Sequence, residues 1–138
     1  FKLFVDGTLG KFVSRNDSRA LQVKADPIHN SQTVPIIVIV SEDTVSYGEI
    51  FAGVLKDLGR AKVVGQTSLG NVEVLHGYNF DDNSQVWIAS ETFYSATSET
   101  NFELSGIIPD VEAFAEWDTI TFETDPSIKA ALGLLGHQ

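Results

Sequence analysis

The run Ile36-Ile-Val-Ile-Val40 is continuously apolar over the length of a strand. A short polar turn follows, and apolar positions then recur at Ile50, Phe51, Val54, Leu55 and Leu58, the spacing of one helical face. The pattern predicts a buried strand over 36–40 feeding a helix over 47–58, stopped by Gly59 just past the last periodic residue. Ser46 stands at the mouth of that helix. Upstream, residues 1–15 read as two short extended pieces, Phe4-Val5 and a second from Leu9, with Asp6-Gly7 as the turn between them. Asn16-Asp17-Ser18 is a turn, 21–24 a short strand, and 26–33 a polar connection containing Pro27.

Downstream, 62–65 is a short apolar strand, and Gly65-Gln-Thr-Ser-Leu-Gly70-Asn71 is a loop bounded by glycines. Residues 72–80 and 85–91 form a hairpin around Asp81-Asp-Asn-Ser84, with Val86, Ile88 and Ser90 on one face of its second strand. A Ser/Thr/Asn-rich loop covers 95–101, and Gly106-Ile-Ile-Pro-Asp110-Val111 brings the chain back. Asp125 is the expected cap of a terminal helix with Pro126 at its first position, carrying Ile128, Ala131, Leu132 and Leu135 inward. Strands interleaved with helices make this an α/β chain, although its many short strands suit a simple doubly wound sheet poorly.

With 138 residues the chain is one domain's worth, able to bury about two-thirds of its unfolded surface. A hydrophobic content of 43% with 20% charged residues is that of a globular protein, and no apolar run approaches bilayer-spanning length. A net charge of -10, with nine scattered basic residues, argues against a nucleic-acid groove. Zero cysteines exclude disulfides and thiolate metal sites, and three histidines without close pairing (His29, His76, His137) argue against a zinc site, so no metal or cofactor is expected. A chain that opens on Phe1 and contains no Met is expected to be a piece of a longer one, with any partner or leader upstream of Phe1 outside it.

The chemistry worth weighing lies at the helix mouth. The first N–H groups of a helix lack intrahelical partners and its dipole favours negative charge, so an oxyanion beside a serine hydroxyl is stabilised there. Serine is also an ordinary N-cap, and taken alone Ser46 reads first as that.

Three ordered segments carry a resemblance. Thr44-Val-Ser46-Tyr-Gly-Glu49-Ile50-Phe-Ala52-Gly53-Val-Leu55-Lys-Asp57-Leu-Gly59-Arg60-Ala61, then Val63-Val64-Gly65 with its glycine loop, then Gly106-Ile-Ile-Pro109-Asp110-Val, together resemble the carboxyl-terminal processing, or tail-specific, serine proteases. Asp125-Pro126 with Ala130-Ala131-Leu132 is similar to that family's closing helix. The resemblance spans nearly the whole chain. It implies the spiral α/β core shared with the Clp protease and crotonase group, with 1–138 as the serine-bearing C-terminal part of a catalytic domain, and it puts Ser46 on the nucleophile. It implies a peptide or unstructured protein tail as substrate, and a cell-envelope or secreted location.

The best-known branch of the family uses a Ser-Lys dyad with the lysine 25 residues after the serine, and here that position is Asn71. An amide does not accept protons near neutral pH, so lysine-type chemistry is excluded. A second branch, that of the tricorn core protease and interphotoreceptor retinoid-binding protein, carries Glu three residues before the Gly of its last motif, as Glu103 stands before Gly106. That similarity implies that Glu103 orients a histidine supplied from upstream of Phe1. The resemblance further implies Tyr47 N–H as one oxyanion donor and Asn71 as a polar lining of the former lysine loop. His76 is a competing base or a half-exposed strand residue. Asp57 and Asp110 read as structural, Asp110 fixing the Pro109 turn. The alternative function is a non-catalytic peptide- or ligand-binding homologue, suggested by the lost lysine and by Tyr47-Gly48 where small alanines are usual.

Overall fold

A computed structural model describes residues 1–114 and 119–136. Its elements are β1 (Gly7–Ser14), β2 (Ser18–Val23), β3 (Ile37–Val40), α1 (Tyr47–Asp57), β4 (Lys62–Gly65), β5 (Val74–Asn79), β6 (Gln85–Ser95), β7 (Val111–Glu112) and α2 (Pro126–Leu134). Two sheets result: an antiparallel one ordered β2-β1-β6-β5 and a parallel one ordered β3-β4-β7. Helix α1 packs between them, against β4 and β6. Its apolar face supplies Ile50, Ala52 and Val54 to a core that also holds Leu9 and Phe12 of β1, Phe93 of β6, Val40, Val63, Val72, Phe102 and Ile107. The Phe12 and Phe93 rings meet at 5.2 Å and Phe93 and Phe102 at 6.2 Å, so aromatic contacts run from one sheet to the loop beyond the helix.

The strand-turn-helix unit and β4 lie where the hydrophobic pattern puts them. Residues 1–5 do not form the expected first strand. They make a turn in which Phe4 N–H and Val5 N–H both donate to Phe1 O, at 2.7 and 3.1 Å, which sets Phe1 and Phe4 together against Phe51 of α1. Packing a third aromatic outweighed strand propensity.

The hairpin differs at its ends. Strand β6 runs on to Ser95 because its two halves have different partners, β5 over residues 85–91 and β1 over residues 91–95. Its outer half touches only one neighbour, so Val86, Trp87 and Ile88 are all exposed and neither face is a core face. Helix α2 begins as expected, with the Asp125 carboxylate accepting from Ser127 N–H at 2.7 Å. Leu132, expected inward, is 42% exposed, and the buried positions are Ser127 and Ala131. Among the described residues β3 and β5 are both sheet edges.

Candidate active site at the mouth of α1

Ser46 is the N-cap of α1 and adopts φ 58°, ψ -126°, a conformation L-residues rarely take. Its N–H explains how the turn is held, because it donates to Asn71 O at 2.7 Å and to the Glu49 carboxylate at 3.1 Å. Ser46 is half-buried, whereas Tyr47, at the first helical position, is 54% exposed. The Tyr47 N–H has no intrahelical acceptor, being the first of the helix. The Tyr47 ring lies 6.0 Å from that of Phe12, whose face also carries the Arg19 guanidinium at 4.1 Å. Arg19 is in turn paired with Glu91 at 2.6 Å.

The loop between β4 and β5 closes on this turn from one side. Leu69 N–H donates to Thr44 O at 3.1 Å, and Gly70, at φ 80°, brings its backbone so close to the 104–106 segment that a Cβ there would lie 2.8 Å from Leu104 C and 2.9 Å from Gly106 N. Leu104 N–H donates to Gly70 O at 2.9 Å, and Ile107 N–H to Ser68 Oγ at 2.7 Å. Three sequence-distant segments, 44–49, 68–72 and 103–107, therefore meet at one corner.

Glu49 sits at their centre with no solvent exposure. Its Oε1 accepts from Ser68 Oγ and Gly70 N–H, both at 2.6 Å, and its Oε2 from Asn71 N–H at 2.9 Å and Ser46 N–H at 3.1 Å. Such a charge is tolerated inside only because its lone pairs are filled.

Glu103 is half-buried and accepts from Val72 N–H at 3.0 Å, next to Asn71. Burial lifts its carboxyl above the ordinary glutamate value, against the lowering by the Val72 N–H, and the nearby charges of Glu73 and Glu49 push the same way as burial.

Ser46, Tyr47, Asn71 and Glu103 thus gather around one helix mouth. His76 does not join them: it is exposed on β5, its ring 4.8 Å from that of Tyr78. His29 is exposed in the connection before β3, and His137 lies outside the described residues. Asp57 accepts from Ser98 Oγ. Asp110 accepts from Val63 N–H at 2.8 Å and pairs with Lys56 and Lys62 at 3.5 and 3.9 Å, tying the Pro109 turn to α1 and β4. Glu49 and Ser68 were missed as members of this corner. The Ser46-x-x-Glu49 spacing of a capping box was the available signal for Glu49, whereas nothing local marks Ser68.

The sequence model of peptidase family S41 matches residues 2–113. The chain belongs to peptidase family S41. A probable CtpA-like serine protease of Staphylococcus aureus is 26% identical over 153 aligned residues, covering 99% of this chain and 30% of that protein. The chloroplastic carboxyl-terminal-processing peptidase 3 of Arabidopsis thaliana is 29% identical over 102 residues, covering 73% of this chain and 20% of that protein. The chain thus spans less than a third of the length of these relatives. Among solved structures, a photosystem II D1 C-terminal processing protease superposes with a TM-score of 0.72 at 24% identity over 96% of this chain and 33% of its own. The tricorn protease does so at 0.56 and 21% identity, over 96% of this chain and 13% of its own. The fold of this S41 chain is accordingly the spiral α/β core common to those enzymes.

Proposed function

We propose that this S41 chain is the serine-bearing part, over residues 1–138, of a carboxyl-terminal processing endopeptidase that works through an acyl-enzyme on Ser46. The observation that carries the reading is the Ser46 corner: a non-glycine residue held at φ 58° on the step from turn to helix, beside a helix-start N–H. In this reading Ser46 Oγ attacks the scissile carbonyl and passes its proton to a histidine outside these residues, which returns it to the leaving amine. The Tyr47 N–H stabilises the developing oxyanion, with a second donor from the same upstream region. Glu103 orients the histidine, as in the tricorn-like branch, and Asn71 lines the site without taking a proton.

Substrates are peptide or unstructured protein tails, which pair as an added strand along the β3 or β5 edge. The working location is the cell envelope or beyond it. Residues 1–138 alone are expected to be inactive, because base and second oxyanion donor lie elsewhere.

The test is a fluorophosphonate probe on the full chain as encoded, compared with its Ser46→Ala variant. Labelling at Ser46 that the variant abolishes supports the reading. An unlabelled Ser46 in the folded protein removes it and leaves a peptide-binding homologue without catalysis.

A further inference from the structure

We infer that Glu49 is a positioning residue of this peptidase, a buried carboxylate that holds the nucleophile turn, the Asn71 loop and the Glu103 segment in one register; the inference rests on the Ser46 reading above. A helix cap needs one hydrogen bond back to its own first turn. Glu49 makes that bond, to Ser46 N–H, and three more that leave its helix altogether, to Ser68 Oγ, Gly70 N–H and Asn71 N–H. Burying a carboxylate for stability alone is a poor solution, since an apolar side chain of similar volume costs less desolvation. What only the carboxylate provides is four acceptor positions at fixed angles.

Those positions control the site through its neighbours. The bond to Ser46 N–H fixes the unusual Ser46 backbone, and with it the direction of the next peptide, whose N–H is the Tyr47 donor. The bond to Asn71 N–H orients a residue whose carbonyl also takes the Ser46 N–H, closing a ring of three residues. Ser68 Oγ, donating to Glu49 and accepting from Ile107 N–H, carries the register on to the segment that bears Glu103. Glu49→Gln breaks this whichever way the amide faces. One side of the new group becomes an NH2 and meets at least one backbone N–H, Gly70 on one side or Ser46 and Asn71 on the other.

The experiment uses the full chain, with fluorophosphonate labelling at Ser46, peptide turnover and amide hydrogen exchange measured on wild type, Glu49→Gln and Ser68→Ala. The expected result is a folded Glu49→Gln protein whose labelling rate and kcat fall about 100-fold with KM within about twofold, the scale of an ångström-level misplacement. Its exchange should quicken over 44–49 and 66–72 while β1 and β6 stay protected. Ser68→Ala, which keeps the carboxylate, should show the same pattern with a smaller loss, and it carries the test if Glu49→Gln does not fold. Wild-type labelling rates in either folded variant, or loss of protection spread evenly over both sheets, would overturn the positioning role and leave Ser46 as nucleophile. An unlabelled wild type overturns the Ser46 reading itself, and this inference with it.

Discussion

Ser46 N–H donates to Asn71 O at 2.7 Å, so the residue at the nucleophile position and the residue at the former lysine position are joined through their backbones. The bond leaves the exposed Asn71 side chain uncommitted to the main chain, and a substitution there should spare the turn. Asn71→Lys is expected to keep thermal stability within about 0.5 kcal/mol of wild type, as surface changes do. In a Glu103→Gln background of the full chain it should recover turnover about tenfold, rising with pH as the amine loses its proton, because a positioned base contributes roughly 10² to 10⁴. No recovery at any pH would separate the lysine position from the reaction.

Glu103→Gln by itself should preserve the fold, since the amide oxygen can still accept from Val72 N–H. Turnover of the full chain should drop by about 10³ to 10⁴ if the carboxylate orients an imidazole and stabilises its charged form. Unchanged turnover would remove Glu103 from the reaction and return the identity of the general base to the question.

The same variant makes a stability prediction with a definite sign. Burial raises the Glu103 carboxyl, so the folded state holds its proton to a higher pH than the unfolded state does. The contribution of Glu103 is then fully present below the ordinary glutamate value and is lost as pH rises through the raised folded value. Urea melts across that window should show wild type losing stability relative to Glu103→Gln as pH increases, and a flat difference would contradict the shift.

Asp110 has the opposite sign. Burial works against its charged form, but the Val63 N–H, Lys56 and Lys62 outweigh it and hold the carboxyl below the ordinary aspartate value. Its contribution is present above the unfolded value and lost as pH falls through the folded one. Asp110→Asn should cost about 1.5 to 3 kcal/mol at neutral pH, the range for a hydrogen bond to a charged group, with the difference closing in acid. Denaturant melts at the two pH values check it.

Gly70→Ala should destabilise the protein by about 1 to 3 kcal/mol, since it combines φ 80° with a Cβ 2.8 Å from Leu104 C. Melting temperature reads the stability loss, and Ser46 labelling in the full chain should fall with it because the loop carries Asn71.

Much of this molecule was legible in its sequence because the relevant information is local. The apolar run of 36–40, the helical spacing from Ile50 to Leu58, Gly59 beyond it and the Asp125-Pro126 cap each specify a backbone state within a few residues, and the turn they enclose put Ser46 at a helix mouth. Ordered motifs carried the family and hence the fold. What only the tertiary structure decided depends on partners far away in the chain. Residues 1–5 became a turn because Phe51 awaited Phe1 and Phe4; the outer half of β6 was left bare because β1 stops pairing with it at Glu91. Leu132 faces water although its spacing allowed burial. Glu49 is the sharpest case. Its spacing from Ser46 is that of a capping box, and only the folding of the 68–72 loop over it supplies the donors that satisfy the carboxylate at full burial. Hydrophobic pattern encodes which face of an element is covered, whereas a buried polar group is encoded by whatever donors three-dimensional packing delivers to it.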